Sequence, residues 1–395
     1  MAFGVSRILG GAAIVVGATL TLVACEEDPF SKSMTLGGKR ISADTLNAGK
    51  ESYTHYCRAC HGDKGDGHGP SALGLRPPPR DFTQGKFKFA AVESGSLPND
   101  ADFRRIVTRG LHGTAMLPWE VPAEELSNII QFIKTFSPKW QKEKPGKPLE
   151  SAPDPWVGQE AAGIQRGKEL YHVTTQCAGC HPNYATRDDI AAMTMKLKKF
   201  QVASFREDMY GAVLKESEYR TTLNVEDDPV ATKHGEGKEQ HAKEGLETKE
   251  HAKKEAATKA AKYFVVSILP PDFTQTPLRS GDELADLYRT IAAGVGGTAM
   301  PSWKATAPYT DPNTGEHWDG DNDIWALAHY VKSLVKLRGT KDADAMRERF
   351  AHQPPYTPPP PAPEPAATPA PVSSATPPAA KPPKAPKQRP RPEPE

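Results

Sequence analysis

Strong net charge, a large apolar fraction and abundant cysteine are all missing from this chain of 395 residues. The formal net charge is +1, which gives no ground for nucleic-acid binding, because that function needs a clustered basic face. Only 37% of the residues are hydrophobic and 39 are proline, so much of the chain lies outside any core. Length alone favours two or three domains of about 150 residues each.

Four of the five cysteines lie in two short motifs, CRACH at 57–61 and CAGCH at 177–181. Both have the C-x-x-C-H pattern of c-type haem attachment. Cysteines three positions apart share one face of a helical turn, so each can form a thioether with a haem vinyl group, and the next histidine reaches the iron from the same face. The motifs therefore predict two covalently bound haem c groups, held by Cys57, Cys60 and His61 and by Cys177, Cys180 and His181.

Two other uses of these cysteines are less compatible with the pattern. A structural zinc site would have to bridge the long segment between Cys60 and Cys177, and it would leave the histidine after each pair unused. A thioredoxin-like redox motif expects a strand-helix-strand context, which the surrounding residues do not predict.

The fifth cysteine, Cys25, ends an N-terminal export signal. Arg7 precedes an apolar run that starts near Ile8, and Leu22 to Ala24 lead into the cysteine. This order is typical of bacterial lipoproteins and predicts removal of residues 1–24 and lipid modification of Cys25. An uncleaved membrane anchor is the alternative, although the run is shorter and richer in glycine than the roughly 20 residues that a spanning helix needs. Either reading tethers the protein to a membrane on its exported side.

An internal repeat surrounds the two motifs. GKE-x-Y occurs at 49–53 and 167–171, Asp-Phe-Thr-Gln at 81–84 and 272–275, and Gly-Thr-Ala-Met at 113–116 and 297–300. Apolar residues at steps of three and four then predict an amphipathic helix at the end of each copy. We call residues 41–141 the first repeat and residues 161–340 the second repeat; each is predicted to be one small helical domain.

Met116 and Met300 occupy equivalent positions on short loops of the two repeats. A thioether is a soft ligand that favours ferrous iron and raises its potential. We therefore expect six-coordinate iron in both repeats, with His61 and Met116 as ligands in the first and His181 and Met300 in the second. Packing of these methionines as ordinary core residues is the alternative.

The order of glycine-tyrosine helix, C-x-x-C-H, methionine loop and aromatic C-terminal helix resembles class I cytochrome c, here in tandem. The resemblance implies an all-α fold of two tandem cytochrome c-like helical domains. In each, the first and last helices would cross, with Gly49 against Phe132 and Gly167 against Tyr330. It also implies that a proline after a glycine accepts a hydrogen bond from the axial histidine, as Gly69-Pro70 would for His61. No Gly-Pro follows His181 closely, so the orientation of that ring is less well defined.

The remaining segments are predicted to be accessory. Residues 25–40 form a tether and 142–160 a linker, and the second repeat carries an insertion at about 188–262. The later part of the insertion is dense in lysine, glutamate and alanine without an apolar stripe, which indicates a solvated helix or disorder. Residues 351–395 are rich in proline and predicted to be a disordered tail.

These features favour a membrane-tethered dihaem cytochrome that carries single electrons and is not an enzyme. The resemblance implies a quinol-oxidising donor complex and a terminal oxidase or reductase as acceptor. The expected location is the bacterial periplasm, with the lipid in the inner or the outer membrane. The alternatives are a dihaem peroxidase or sulfur-compound dehydrogenase, in which one iron binds substrate, and a fixed subunit of a respiratory complex.

Overall fold

A computed structural model of the chain describes residues 29–213, 215–221 and 264–360. The predicted signal peptide, the lipidation site Cys25, most of the predicted insertion and the tail beyond residue 360 lie outside the described residues. These features stay predictions. The regular secondary structure of the described part is mostly helical, and none of its helices is both long and apolar enough to span a bilayer.

The first repeat is built around the crossing of its first and last long helices. Ser42 caps the first helix by accepting a hydrogen bond from Thr45 N (3.1 Å). At the crossing, a Cβ on Gly49 would lie 2.3 Å from Asn128 O and 2.9 Å from Phe132 Cβ, so the helices approach to backbone contact. The helices are α1 Ala43–Tyr56, α2 Arg58–His61, α3 Asp100–Arg109, α4 Ala123–Thr135 and α5 Lys139–Lys142.

The second repeat has an equivalent crossing. A Cβ on Gly167 would lie 2.1 Å from Ala326 O and 2.6 Å from Tyr330 Cβ. The close contacts that the resemblance implied for Gly49 and Gly167 are thus both present. The helices are α6 Glu160–Glu169, continued by a π-helical turn Leu170–Thr174 and a 3-10 turn Cys177–Gly179, then α7 Arg187–Lys198, α8 Leu284–Ala293 and α9 Asp321–Val335, with α10 Lys341–Ala351 beyond the repeat.

Three two-stranded antiparallel sheets interrupt this helical fold, so the predicted all-α class holds for the helical majority and not for the whole described chain. The pairs are β1 Met34–Leu36 with β2 Lys39–Ile41, β3 Lys215–Thr221 with β4 Phe264–Ile268, and β5 Tyr309–Thr310 with β6 His317–Trp318. The first pair lies in the predicted tether, yet Leu36 is buried and Gly37 N donates to Trp140 O (2.6 Å). The end of the tether is therefore part of the fold of the first repeat.

The two repeats contact each other through equivalent segments used twice. We call residues 110–116 and 294–300 the first and second methionine loops. His112 N in the first loop donates to Arg279 O, and Gly296 N in the second donates to Lys88 O, both at 3.1 Å. In the sequence repeat His112 is equivalent to Gly296, and Lys88 to Arg279. Each methionine loop thus lies on the segment that follows Asp-Phe-Thr-Gln in the other repeat, which is the reciprocity of a two-fold arrangement.

One ion pair across this interface has no counterpart at the equivalent positions. Arg109 donates to both carboxylate oxygens of Asp286 (2.8 and 2.7 Å), and the Asp286 side chain is 2% exposed. Arg289 donates to the same carboxylate. The residue equivalent to Arg109 is Ala293, so the second repeat cannot form the equivalent ion pair with the first. A planar guanidinium bound at two oxygens fixes orientation as well as distance.

The linker and the start of the predicted tail also belong to the folded unit. Trp325 Nε1 donates to Ala152 O (2.9 Å), and His329 Nε2 lies 2.8 Å from Asp154 Oδ2. Arg187 N donates to Gln353 Oε1 (2.7 Å). The unit continues to Tyr356 and so extends past residue 351, where the tail was expected to start.

Candidate functional site

The histidine of the first motif is held from behind by the backbone. His61 Nδ1 donates to Arg80 O (3.0 Å), and its ring stacks on Phe82 with 4.5 Å between ring centroids. Tyr53 donates to Gly62 O (2.8 Å), fixing the residue after the motif. Burial lowers the pKa of His61 to about 4, so the ring is neutral at pH 7. A neutral imidazole with Nδ1 engaged presents its Nε2 lone pair to a metal.

The second motif repeats this arrangement. His181 Nδ1 donates to Pro271 O (3.1 Å), and the ring stacks on Phe273 at 4.9 Å. Tyr171 donates to Pro182 O (2.8 Å), as Tyr53 does to the equivalent glycine. Burial lowers the pKa of His181 as well. Both imidazoles are therefore oriented by the same kind of backbone acceptor.

The identity of that acceptor corrects an expectation from the sequence. A backbone carbonyl was expected, and one is present, but it belongs to Arg80 and not to Pro70. Arg80 and Pro271 each precede the aspartate of an Asp-Phe-Thr-Gln segment. The missing Gly-Pro after His181 therefore leaves its ring no less fixed than that of His61. The repeated Asp-Phe-Thr-Gln segment marks the position of the acceptor in the sequence. Its role was missed because every residue has a backbone carbonyl, so the acceptor cannot be recognised from its residue type.

The four cysteines of the motifs are half-buried free thiols. Burial raises the pKa of Cys57 to about 12 and that of Cys177 to about 11, so neither is a thiolate at neutral pH. Among the described residues, no three or more histidine, cysteine, aspartate or glutamate side chains are grouped to hold a metal. The four thiols are thus not gathered into the zinc site considered from the sequence.

The two methionine loops have the same hydrogen bonds. Leu111 N donates to Met116 O (2.7 Å), and Val295 N donates to Met300 O (3.2 Å). Each methionine N–H donates to the hydroxyl of the threonine two positions earlier, at 3.1 and 3.2 Å. Gly110 and Gly294 start the loops with φ of 67° and 71°, a left-handed conformation that favours glycine. The loops therefore present Met116 and Met300 on equivalent, fixed backbones, and both side chains are half-buried.

The surroundings of the two loops differ. Trp119, three residues after Met116, is 45% exposed, and Leu117 beside it is 63% exposed. The equivalent Trp303 is half-buried and packs on the buried Trp318 of β6, with 5.5 Å between ring centroids. The β5–β6 hairpin thus covers in the second repeat an apolar surface that the first repeat leaves open.

The residues present fit covalently bound haem. Each repeat supplies two uncharged thiols at the required spacing, a neutral oriented imidazole and a methionine on a fixed loop. The buried Trp140 Nε1 in the first core finds no acceptor among the described residues, which fits a group that brings its own oxygen atoms. Cys57 and Cys60 would form the thioethers, and His61 and Met116 would bind the iron. Cys177, Cys180, His181 and Met300 are the equivalent set.

This donor set and the helix crossing are those of a c-type cytochrome domain. Residues 44–133 match the family described as Cytochrome C oxidase, cbb3-type, subunit III. The match lies within the first repeat and includes CRACH and Met116, so this part of the chain is a c-type cytochrome domain.

No curated protein matches the chain. A solved structure of the Kuenenia stuttgartiensis reducing HAO-like protein complex Kustc0457/Kustc0458 contains a similar chain, at 24% identity and a TM-score of 0.46. The similarity covers 73% of this chain and 96% of that one.

Proposed function

We propose that the protein is a dihaem c-type cytochrome that carries single electrons, with a second cytochrome domain in the second repeat. The observation that carries the proposal is that the histidine and the methionine loop are held by the same kind of bonds in both sites. Each has a histidine Nδ1 bonded to the carbonyl before Asp-Phe-Thr-Gln and a methionine loop with the same bonds. Covalent attachment through both cysteine pairs keeps the cofactor on an exported protein.

When bound, each haem supplies an iron that cycles between the ferric and ferrous states. The chain orients His61 and His181 as neutral imidazoles that would each bind one iron, and Met116 and Met300 would supply the second protein ligand of each iron. Thioether ligation on both irons would leave no open position for a substrate, which favours a carrier over an enzyme. The soft sulfur also favours the reduced state, so both centres are expected to have fairly high potentials.

The contact between the repeats supports passage of electrons inside one molecule. The ring of His61 stacks on Phe82, which in turn stacks on Phe87 with 6.2 Å between centroids. A Cβ on Gly296 would lie only 2.2 Å from Phe87 O, so the backbone of Phe87 is in close contact with the second methionine loop. Packed groups therefore lead from the first histidine to the second methionine loop, and the two centres act as a fixed pair.

The membrane tether and the partners are proposed from the sequence. Lipid on Cys25 would anchor the protein to the inner or outer membrane in the bacterial periplasm and raise its effective concentration near membrane-bound partners. A quinol-oxidising complex would be the donor, and a terminal oxidase or reductase the acceptor. If the protein is instead a fixed subunit, it will copurify in constant ratio with one complex from detergent-solubilised membranes.

Carbon monoxide binding tests the carrier against the enzyme. The reduced protein, matured in an export-competent host, should not bind carbon monoxide rapidly, because both sixth positions are filled. Met116→Ala and Met300→Ala each open one site and should each bind one equivalent, which calibrates the assay. Rapid binding of one equivalent by the unaltered protein would contradict the proposal and favour a dihaem peroxidase or sulfur-compound dehydrogenase.

A further inference from the structure

Asp272 lies between the two residues that hold His181. Pro271 before it accepts the bond from His181 Nδ1, and Phe273 after it stacks on the ring. Two phenols donate to the Asp272 carboxylate, Tyr184 to Oδ1 at 3.0 Å and Tyr210 to Oδ2. We call Tyr184, Tyr210 and Asp272 the tyrosine cradle. Burial raises the pKa of both tyrosines, so the phenols remain protonated donors.

Tyr184 also replaces a backbone contact of the first repeat. Phe273 N donates to Tyr184 Oη (2.9 Å), whereas the equivalent Phe82 N donates to Gly65 O (2.7 Å). The Tyr184 hydroxyl, on a side chain that is 4% exposed, thus accepts the bond that Gly65 O accepts in the first repeat, where Gly65 lies in the glycine-rich loop 62–69 after CRACH. The second site lacks that loop and is supported by a phenol instead.

The aspartate of the first repeat is bound differently. Asp81 accepts from Thr83 N and Oγ1 and from Gln84 Nε2 (2.7 Å). Asp272 keeps the threonine bonds, from Thr274 N and Oγ1, but phenols take the place of the amide. The two histidines therefore have the same acceptor and different surroundings behind it.

The segment that supplies Tyr210 also clamps the haem motif. Val213 N donates to Cys180 O (2.9 Å), and Asn183 donates to Met209 O from both its backbone N (3.1 Å) and Nδ2 (2.8 Å). Residues 209–213 belong to the predicted insertion, so the described beginning of that insertion is bound to the residues that surround His181. The first repeat has no counterpart of this segment in its sequence.

We propose that Tyr184 and Tyr210 are positioning residues that act through Asp272 on His181 and set the potential of the second centre apart from that of the first. This inference rests on the proposed function, since it needs a haem at CAGCH. Phenol donors spread the charge of the carboxylate close to the axial ligand. Removal of a donor leaves that negative charge less compensated, which favours ferric iron and lowers the potential of the second centre alone.

Tyr210→Phe is the main test, because Tyr210 is half-buried and its loss removes a hydroxyl only. Tyr184→Phe is a second, stronger variant. Tyr288→Phe is the matched control: its hydroxyl also donates to a carboxylate, Asp321 (2.8 Å), in the same repeat and outside the tyrosine cradle. Potentiometric titration of the full chain gives the two midpoints, and Met300→His, which exchanges sulfur for imidazole, identifies the second.

The expected result is a lower second midpoint in Tyr210→Phe, an unchanged first midpoint, and no shift in Tyr288→Phe. Electron paramagnetic resonance should change for the ferric second centre only. Equal midpoints and spectra in Tyr210→Phe and the control would overturn the inference while leaving the proposed function intact. A chain that attaches only one haem in all variants would instead refute the proposed function.

Discussion

Substitution of Gly167 by alanine sets two effects of opposite sign against each other. Gly167 lies inside α6, where alanine is preferred over glycine by about 1 kcal/mol. If helix preference decided the outcome, Gly167→Ala would stabilise the protein. The structure predicts the reverse, because the new Cβ would lie 2.1 Å from Ala326 O and 2.6 Å from Tyr330 Cβ on α9.

The magnitude follows from the kind of atom that is met. A backbone carbonyl in a helix cannot rotate away, so α6 and α9 must separate along their crossing. Overpacking of a tight contact costs about 1–3 kcal/mol, and a contact this short belongs at the upper end. Subtraction of about 1 kcal/mol for helix preference leaves a net loss of about 2 kcal/mol in the free energy of unfolding.

Chemical unfolding followed by far-ultraviolet circular dichroism measures this loss. Gly163→Ala is the control on the same helix, because the three atoms nearest its Cβ would be side-chain atoms of Trp156, with Cγ nearest at 2.9 Å, and not a backbone carbonyl. We expect its free energy of unfolding to change by less than about 1 kcal/mol, since the gain in helix preference offsets the contact. A Gly167→Ala protein as stable as the parent would refute the account of the crossing.

Three further predictions concern the interface, the haem sites and pH. Arg109→Ala should lower the free energy of unfolding by about 1–2 kcal/mol, at the low end for a charged hydrogen bond because the Arg109 side chain is 45% exposed. The control is Arg104→Ala, which loses a bond to Ser127 within the first repeat. Equal losses in the two variants would argue against the ion pair. Cys177→Ser combined with Cys180→Ser should halve the covalent haem per chain, as should the same changes at Cys57 and Cys60; two haems in either variant would show that the motif is not the attachment site. Burial raises the pKa of Asp100, but the bond and charge of Lys134 outweigh it, so the folded pKa lies below the usual 3.8. The stabilisation by this ion pair is present above about pH 3.8 and is lost as the pH falls through the pKa of Asp100 in the folded protein. The difference in free energy of unfolding between the parent and Asp100→Asn should therefore narrow below about pH 4. A difference that stays constant with pH would contradict the prediction.

Local patterns in the sequence predicted the parts of the fold that depend on neighbouring residues. The spacing of C-x-x-C-H and the helical periodicity are local, and the glycines of the crossing were identified because the repeat placed Gly49 and Gly167 alike. Each glycine was paired with the correct aromatic residue. The attachment of haem at these motifs stays a prediction.

Long-range contacts between polar groups were beyond the sequence. Arg80 and Pro271 act through carbonyls, whose direction depends on the path of the chain and not on the residue type. Tyr184 meets Asp272 across 88 positions, and no periodicity links them. The strands β1, β2, β5 and β6 were missed because runs of two or three residues carry too little pattern to separate them from turns. The longer strands β3 and β4 lie in or next to the predicted insertion, the later part of which was interpreted as a solvated helix or disorder.

The central claim is that one chain carries two iron centres with equivalent histidine and methionine ligands. A potentiometric titration of the purified, exported protein, followed by absorbance and normalised to chain concentration, tests it most directly. Two one-electron steps per chain, both at fairly high potential, are expected. A single electron per chain, or a second step at the low potential of a centre without sulfur ligation, would contradict it.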